Sequence, residues 1–179
     1  WSFHVQMASP SRLACTSSLI ALLLFGAIFG FFYAWVCSTM WGLDQADPRV
    51  AVEAMQAMNA SVRNAVFFPA FFLTPLVGLI AAYFVWRSGE VQAAILLAAA
   101  SIIYFVGALL PTMFVNVPMN EALAIVTGLD EPGRAAQIWA DYSLTWQMWN
   151  IGRTIASGVA LLTFGMGLLM MRNRQPQAA

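Results

Sequence analysis

Trp139, Tyr142, Trp146, Trp149 and Arg153 recur at steps of three and four residues, which puts most of them on one face of a helix. Asn150 follows Trp149 directly and stands one turn before Arg153, at the mouth of a long charge-free run. A guanidinium or an amide at that depth is costly unless it finds partners. Asn116, Asn120 and Glu121 supply them upstream, around a Pro118 whose missing N–H frees a backbone carbonyl. Facing each other, the two segments would make a pocket with a tryptophan wall and a polar floor, of roughly 300–1,000 Å³ if it follows the usual range for small-molecule sites. Glu121, the only nearby carboxylate, is the candidate base. Arg153, with Asn116 and Asn150, is the candidate holder of a developing oxyanion, and Asn120, Trp146 and Trp149 complete the substrate-binding set. Arg153 is expected inside the bundle, within direct or one-water reach of Glu121, Asn116 or Asn120. Plainer roles compete with these: tryptophans at a membrane boundary form anchoring belts, and Glu121 with Arg153 can be a structural ion pair.

The composition decides what kind of body carries these residues. Of 179 residues 61% are apolar and only 9% charged, far below the ~25% charged residues that clothe a soluble domain. The chain therefore reads as an integral membrane protein with the lipid bilayer as its first partner. Eight arginines balance eight acids, so the strongly basic footprint of a nucleic-acid-binding protein is missing and no nucleic-acid partner is expected. Two cysteines and one histidine are too few for bis-histidine haem, a copper or zinc cage, or a two-pair thiol relay. No metal and no cofactor is expected. Cys15 and Cys37 sit near opposite ends of one apolar run, roughly 33 Å apart at 1.5 Å per helical residue, and cannot pair.

Four charge-free stretches are long enough to cross ~30 Å of hydrocarbon: Leu13 to about Met40, Val66 to Trp86, Val91 to about Phe114, and Thr154 to Met171. The first exceeds a signal-peptide core and is closed by no Ala-x-Ala site, so it is expected to remain in the mature protein. Met7 reads as a natural start, which would make Trp1 to Gln6, with the sole histidine His4, an appended segment. The expected organisation is residues 1–12 as a leading segment, 13–174 as one membrane domain and 175–179 as a polar tail. Only Arg87-Ser88-Gly89-Glu90 joins the second and third spans, whereas the first and third connections are long and lie together at the other end. Asp47-Pro48 reads as a helix cap, after which Ala51, Met55, Met58 and Val62 mark the apolar side of an amphipathic helix. Pro118 is expected to interrupt the third span, and Asp130-Glu131-Pro132 to start a helix that runs unbroken into the fourth. The fold class is therefore all-α: an antiparallel four-helix membrane bundle with two amphipathic connecting helices capping one end. Gly26-x-x-x-Gly30-x-x-x-Ala34 is a small-residue stripe suited to helix packing within the bundle, or to a homodimer seam. Gln56-x-x-Asn59 and Gln147-x-x-Asn150 sit at comparable places in the two halves and hint at a duplication.

Asn-Ala-Val-Phe-Phe-Pro-Ala-Phe-Phe-Leu-Thr-Pro (64–75), Asn-Val-Pro-Met-Asn-Glu-Ala-Leu (116–123) and Trp-x-x-Trp-Asn-x-x-Arg-Thr (146–154) together resemble the anthrone-oxygenase-like membrane proteins, over nearly the whole chain. The resemblance implies a shared set of Asn116, Pro118, Asn120, Trp146, Trp149, Asn150 and Arg153. It also implies the chemistry of the characterised fungal members, which oxidise anthrones to anthraquinones with molecular oxygen and no obvious metal or flavin; most bacterial members have no assigned reaction. Many members carry a histidine directly after the asparagine, where this chain has Ile151, so an imidazole base is lacking there. The expected function is a cofactor-independent oxygenase acting on an aromatic or quinol-type, lipid-soluble substrate. The alternative is a non-catalytic accessory subunit that packs against a membrane-protein partner or binds a lipid or pigment. Either fits a bacterial inner membrane. Arg12, Arg87, Arg172 and Arg174 on one side are matched by Arg49, Arg63, Arg134 and Arg153 on the other. The placement of Arg172 and Arg174 against the last span favours cytoplasmic termini.

Overall fold

A computed structural model describes residues 11–171 of the chain; His4, the Met7 start, Arg172, Arg174 and the 175–179 tail lie outside the described residues. Among the described residues the architecture is all-helical, with four helices long and apolar enough to cross a membrane. Helix α1 runs Arg12–Asp44, α2 Pro48–Ser61, α3 Phe67–Arg87, α4 Val91–Ala124 and α5 Arg134–Met170. The long helices pack as an antiparallel ring, α1 on α3, α3 on α4, α4 on α5 and α5 back on α1. Their inner faces are small and aromatic residues such as Ala21, Phe25, Phe71, Ala81, Leu97, Ala100, Tyr104 and Phe164, all buried. Their outer faces keep large apolar side chains exposed, Leu19, Leu23, Leu76, Ile95 and Leu162 among them, as hydrocarbon solvent permits. Close approach is bought by glycine at Gly107, where an added Cβ would come within 2.5 Å of Ala156 Cβ.

The small-residue stripe on α1 does not serve that purpose: a Cβ at Gly26 or Gly30 would meet nothing within 4 Å. The expectation that it packs within the bundle is therefore corrected, because the inward side of α1 is the one carrying Phe25, Ile28 and Phe32.

Backbone irregularities run from the middle of the bundle towards the end that holds the connections. α1 widens into a π turn at Trp35–Thr39, and α4 into two, Phe105–Leu109 and Thr112–Asn116. Pro118 does not interrupt the third span as expected. Val117 N–H bonds Thr112 O across the second of these turns, and Pro118 then falls at the opening of the following helical turn, where a missing N–H is tolerated. The same reasoning explains Pro75 within α3. It removes the N–H that would bond Phe71 O, and the Tyr104 hydroxyl donates to that carbonyl at 2.9 Å instead. The last helix begins later than Asp130-Glu131-Pro132, at Arg134, because Gly133 ahead of it takes a left-handed φ of 77°.

α2 is held across the end of the bundle. Asp47 caps it through Arg49 N–H, and Ala51, Val52 and Met55 are buried against Met40, Leu123 and Trp139. Gln56 Nε2 donates to the carbonyls of Leu123 (2.8 Å) and Val126 (3.2 Å), satisfying the C-terminus of α4. Arg49 bridges Glu53 and Asp130; the hydrogen bond to Glu53 and then the charge of Asp130 hold its guanidinium still more firmly protonated than usual. Asp44, at the end of α1, accepts from Trp139 Nε1, Ser143 Oγ and Gln147 Nε2 on successive turns of α5, at 3.0, 2.7 and 2.8 Å.

Candidate functional site

Under this cap the bundle encloses a cavity of about 240 Å³, just below the expected range. α1 contributes Phe31, Phe32 and Trp35, α2 Met58 and Asn59, and the start of α3 contributes Phe67, Phe68, Phe71 and Phe72. α4 adds Thr112, Met113, Val117, Asn120 and Glu121, and α5 adds Trp146, Asn150 and Arg153; Val62 and Arg63 complete the rim.

Arg153 is the centre of its polar wall. The residue is 4% exposed, and its guanidinium lies 4.7 Å from the Phe32 ring centroid and 5.4 Å from that of Trp146. Nη1 donates to Thr112 Oγ1 and Nη2 to Asn150 Oδ1, both at 3.0 Å. Two of its five N–H donors are thereby used, and Nε, fully buried, has no partner among the described residues. No carboxylate of the described residues lies within 4.0 Å of the guanidinium; the aromatic faces and two neutral oxygens hold the charge instead. Asn150 is oriented by its own bond, Nδ2 to Phe32 O at 3.2 Å, which turns Oδ1 towards the arginine.

The expected Glu121–Arg153 pair does not form. Glu121 instead meets Arg63 Nη2 at 3.4 Å, its side chain 61% exposed, because the short run after Pro118 carries it up to the rim facing the end of α2. Arg153 sits at a deeper level of the same cavity. Asn120 Oδ1 accepts from Tyr142 Oη (2.8 Å) and Trp146 Nε1 (2.9 Å), and Asn59 Nδ2 donates to the same tyrosine at 3.4 Å. These bonds fix the Trp146 ring, which lies 5.1 Å from Trp35. The duplicated pattern thus brings Asn59 and Asn150 to one cavity, while Gln56 and Gln147 serve the cap and Asp44.

Two of the expected residues stand apart. Asn116 is 1% exposed but does not line the cavity, and neither its Nδ2 nor its Oδ1 has a partner among the described residues. Trp149 is 43% exposed and points out of the bundle beside Met148 and Ile151, the place of a boundary anchor. Reading the sequence missed Thr112, Phe32, Trp35 and Asn59. Only Asn59 carried a signal, through the repeated Gln-x-x-Asn spacing; the others are ordinary residues of apolar helices. Among the described residues no three His, Cys, Asp or Glu side chains gather as a metal-binding group.

Chemically, the arrangement offers an aromatic-lined cavity with unspent cationic donors at its inner end and one carboxylate at its mouth. Comparison with curated proteins and with solved structures finds no match. The family model described as anthrone oxygenase matches residues 58–163, more than half of the chain, from the end of α2 through the heart of α5. Every polar residue named around Arg153 falls within that match, and the chain belongs to the anthrone oxygenase family.

Proposed function

We propose that the protein is a cofactor-independent membrane oxygenase that converts an anthrone-type or hydroquinone-type aromatic, drawn from the bilayer, with molecular oxygen. The observation that carries this reading is a buried guanidinium with no carboxylate partner among the described residues, facing an aromatic cavity with N–H donors to spare. A neutral flat ring enters such a cavity at little cost, and the cation then favours the form that has lost a proton.

For an anthrone the steps balance without a further reactant. Glu121 accepts one proton from the ring methylene, and the electron pair left behind spreads onto the carbonyl oxygen, where Arg153 and Asn120 stabilise the oxyanion. This electron-rich carbanion reduces oxygen and forms the C–O bond of a peroxide. Loss of the second methylene proton with cleavage of the O–O bond releases water and leaves the second quinone carbonyl. One substrate and one O₂ give one quinone and one H₂O. Trp146, Phe32 and Trp35 orient the ring.

The reading extends to a bacterial inner membrane with both termini in the cytoplasm. The orientation is supported by the burial of Arg153, which removes one arginine from the capped side of an otherwise even count.

The test is to supply anthrone to the purified protein in lipid nanodiscs and follow quinone absorbance together with oxygen consumption. Equal molar consumption of oxygen and appearance of quinone, lost in Arg153→Leu, is expected. Tight binding of a co-purifying lipid or pigment with no oxygen uptake would overturn the reading in favour of a non-catalytic binding or accessory role.

A further inference from the structure

A second hollow, of about 490 Å³, adjoins the first between α1, the end of α2 and the start of α3. The two share a wall made of Phe31, Trp35, Met58, Val62 and Phe67. Beyond that wall the groove runs down past Ala70 to Ile28 and Ala27, about 12 Å along α1 from Trp35 at 1.5 Å per residue. Small side chains hollow it out. Ala27 on α1 and Ala70 on α3 line it with single methyl groups.

The groove's chemistry differs from that of the inner cavity. Its two polar side chains are already engaged at its rim: Ser61 Oγ donates to Met58 O, Asn64 Nδ2 donates to Ser61 O, and Asn64 Oδ1 accepts from the backbone N–H groups of Val66 and Phe67. The rest of its lining is apolar or aromatic. The unpartnered cationic donor, Arg153 Nε, belongs to the inner cavity, and the Phe31 and Phe67 rings, 4.7 Å apart, stand between the two spaces.

We propose that the groove is the hydrocarbon arm of the same site, and that the substrate is an acidic aromatic bearing a linear alkyl or prenyl chain, its ring beside Arg153 and its chain between α1 and α3. This rests on the oxygenase reading of the inner cavity. Adjacency selects the occupant: the same five side chains border both spaces, so a chain attached to the ring need pass over only one layer of side chains to enter the groove. An unattached acyl chain of the bilayer would fill the groove without reference to the cavity.

The experiment compares anthrone with a decyl-substituted anthrone, titrated without oxygen into nanodiscs of one lipid composition. The proteins are the natural chain, Ala27→Trp, Ala70→Trp and the milder Ala27→Leu. Neither alanine lines the inner cavity, so anthrone binding reports that each variant is folded. The expected result is about a tenfold loss of affinity for the decyl compound in the tryptophan variants, a smaller loss in Ala27→Leu, and anthrone unchanged within about twofold. Partitioning into the lipid cancels, because each ligand is compared with itself across proteins. Equal binding of the decyl compound to all four proteins would overturn the proposal and leave the groove to bilayer lipid, as would equal weakening of both ligands. Anthrone binding that is present and lost in Arg153→Leu upholds the cavity reading whatever the decyl compound does. Anthrone binding that is absent, or indifferent to Arg153, overturns that reading and this proposal with it.

Discussion

Removing the Arg153 guanidinium takes away a buried charge together with two hydrogen bonds, so stability and turnover should respond with different signs. No carboxylate is stranded by the loss, since Glu121 belongs to Arg63. Thr112 keeps its bond to Ala108 O and Asn150 keeps Phe32 O, each remaining partly satisfied. Arg153→Leu should therefore melt at the same or a higher temperature than the natural protein while losing anthrone binding and turnover, because an uncompensated buried ion is replaced by packing. A clear fall in melting temperature would mean that the cation is structural. Glu121→Gln addresses the base: the side chain is exposed and makes one weak pair, so folding and binding should persist while turnover falls about 10²–10⁴-fold, the usual worth of a positioned general base. Trp146→Ala should weaken ring binding by about 1–3 kcal/mol, the burial value of a large side chain, measured in the same titration. What the sequence made legible at this scale was the α5 face, because Trp146, Asn150 and Arg153 share one element and one periodicity. Phe32, Trp35 and Thr112 were illegible because each belongs to a different apolar helix, and only packing brings them together.

Helix positions were readable wherever charge-free length dictated them, and helix irregularities were not. A π turn shifts the hydrogen bond from i−4 to i−5 without requiring any residue type, so the turns at Trp35–Thr39 and Thr112–Asn116 left no mark in the sequence. Pro118 misled for the same reason. A proline inside a span ordinarily signals an end, yet here the register has already slipped where it falls. These turns deliver Trp35 and Asn120 to the cavity, and the elements that carry them need fastening. Asp44 supplies it, gathering three donors from three turns of α5. Asp44→Ala should lower stability by about 1–3 kcal/mol, the cost of losing bonds to a charged acceptor, and should loosen the cap enough to weaken ring binding. Asp47→Ala, which removes only the α2 cap, should cost about 1 kcal/mol and leave binding alone. Thermal melts and anthrone titrations of the two variants distinguish a fastening that shapes the cavity from one that merely ends a helix.

At the scale of the whole molecule, the two ends of the bundle differ in everything but their arginines. Among the described residues, one end has the tight turn after Arg87 and little else; the other has α2, the Pro118 run and the cap over the cavity. Counting arginines along the sequence gave a tie because it assigned Arg153 to the capped surface, and burial is not visible to a count. With Arg153 inside the bundle, Arg12 and Arg87, together with Arg172 and Arg174 taken by their sequence position after the last span, outnumber Arg49, Arg63 and Arg134, which under the positive-inside rule is the ground for the proposed cytoplasmic placement of the bare end. The acids crowded at the capped end, several of them paired with its arginines, enter little into that rule. In a background with Cys15 and Cys37 replaced by Ala, both being exposed, single cysteines at Ser88 and at Asp130 should react with an impermeant maleimide from opposite sides. Ser88→Cys should be labelled only in inverted vesicles and Asp130→Cys in intact spheroplasts. Labelling of both from one side would refute the antiparallel arrangement, whereas opposite labelling in the reversed sense would keep the bundle and turn the cavity's mouth to the cytoplasm.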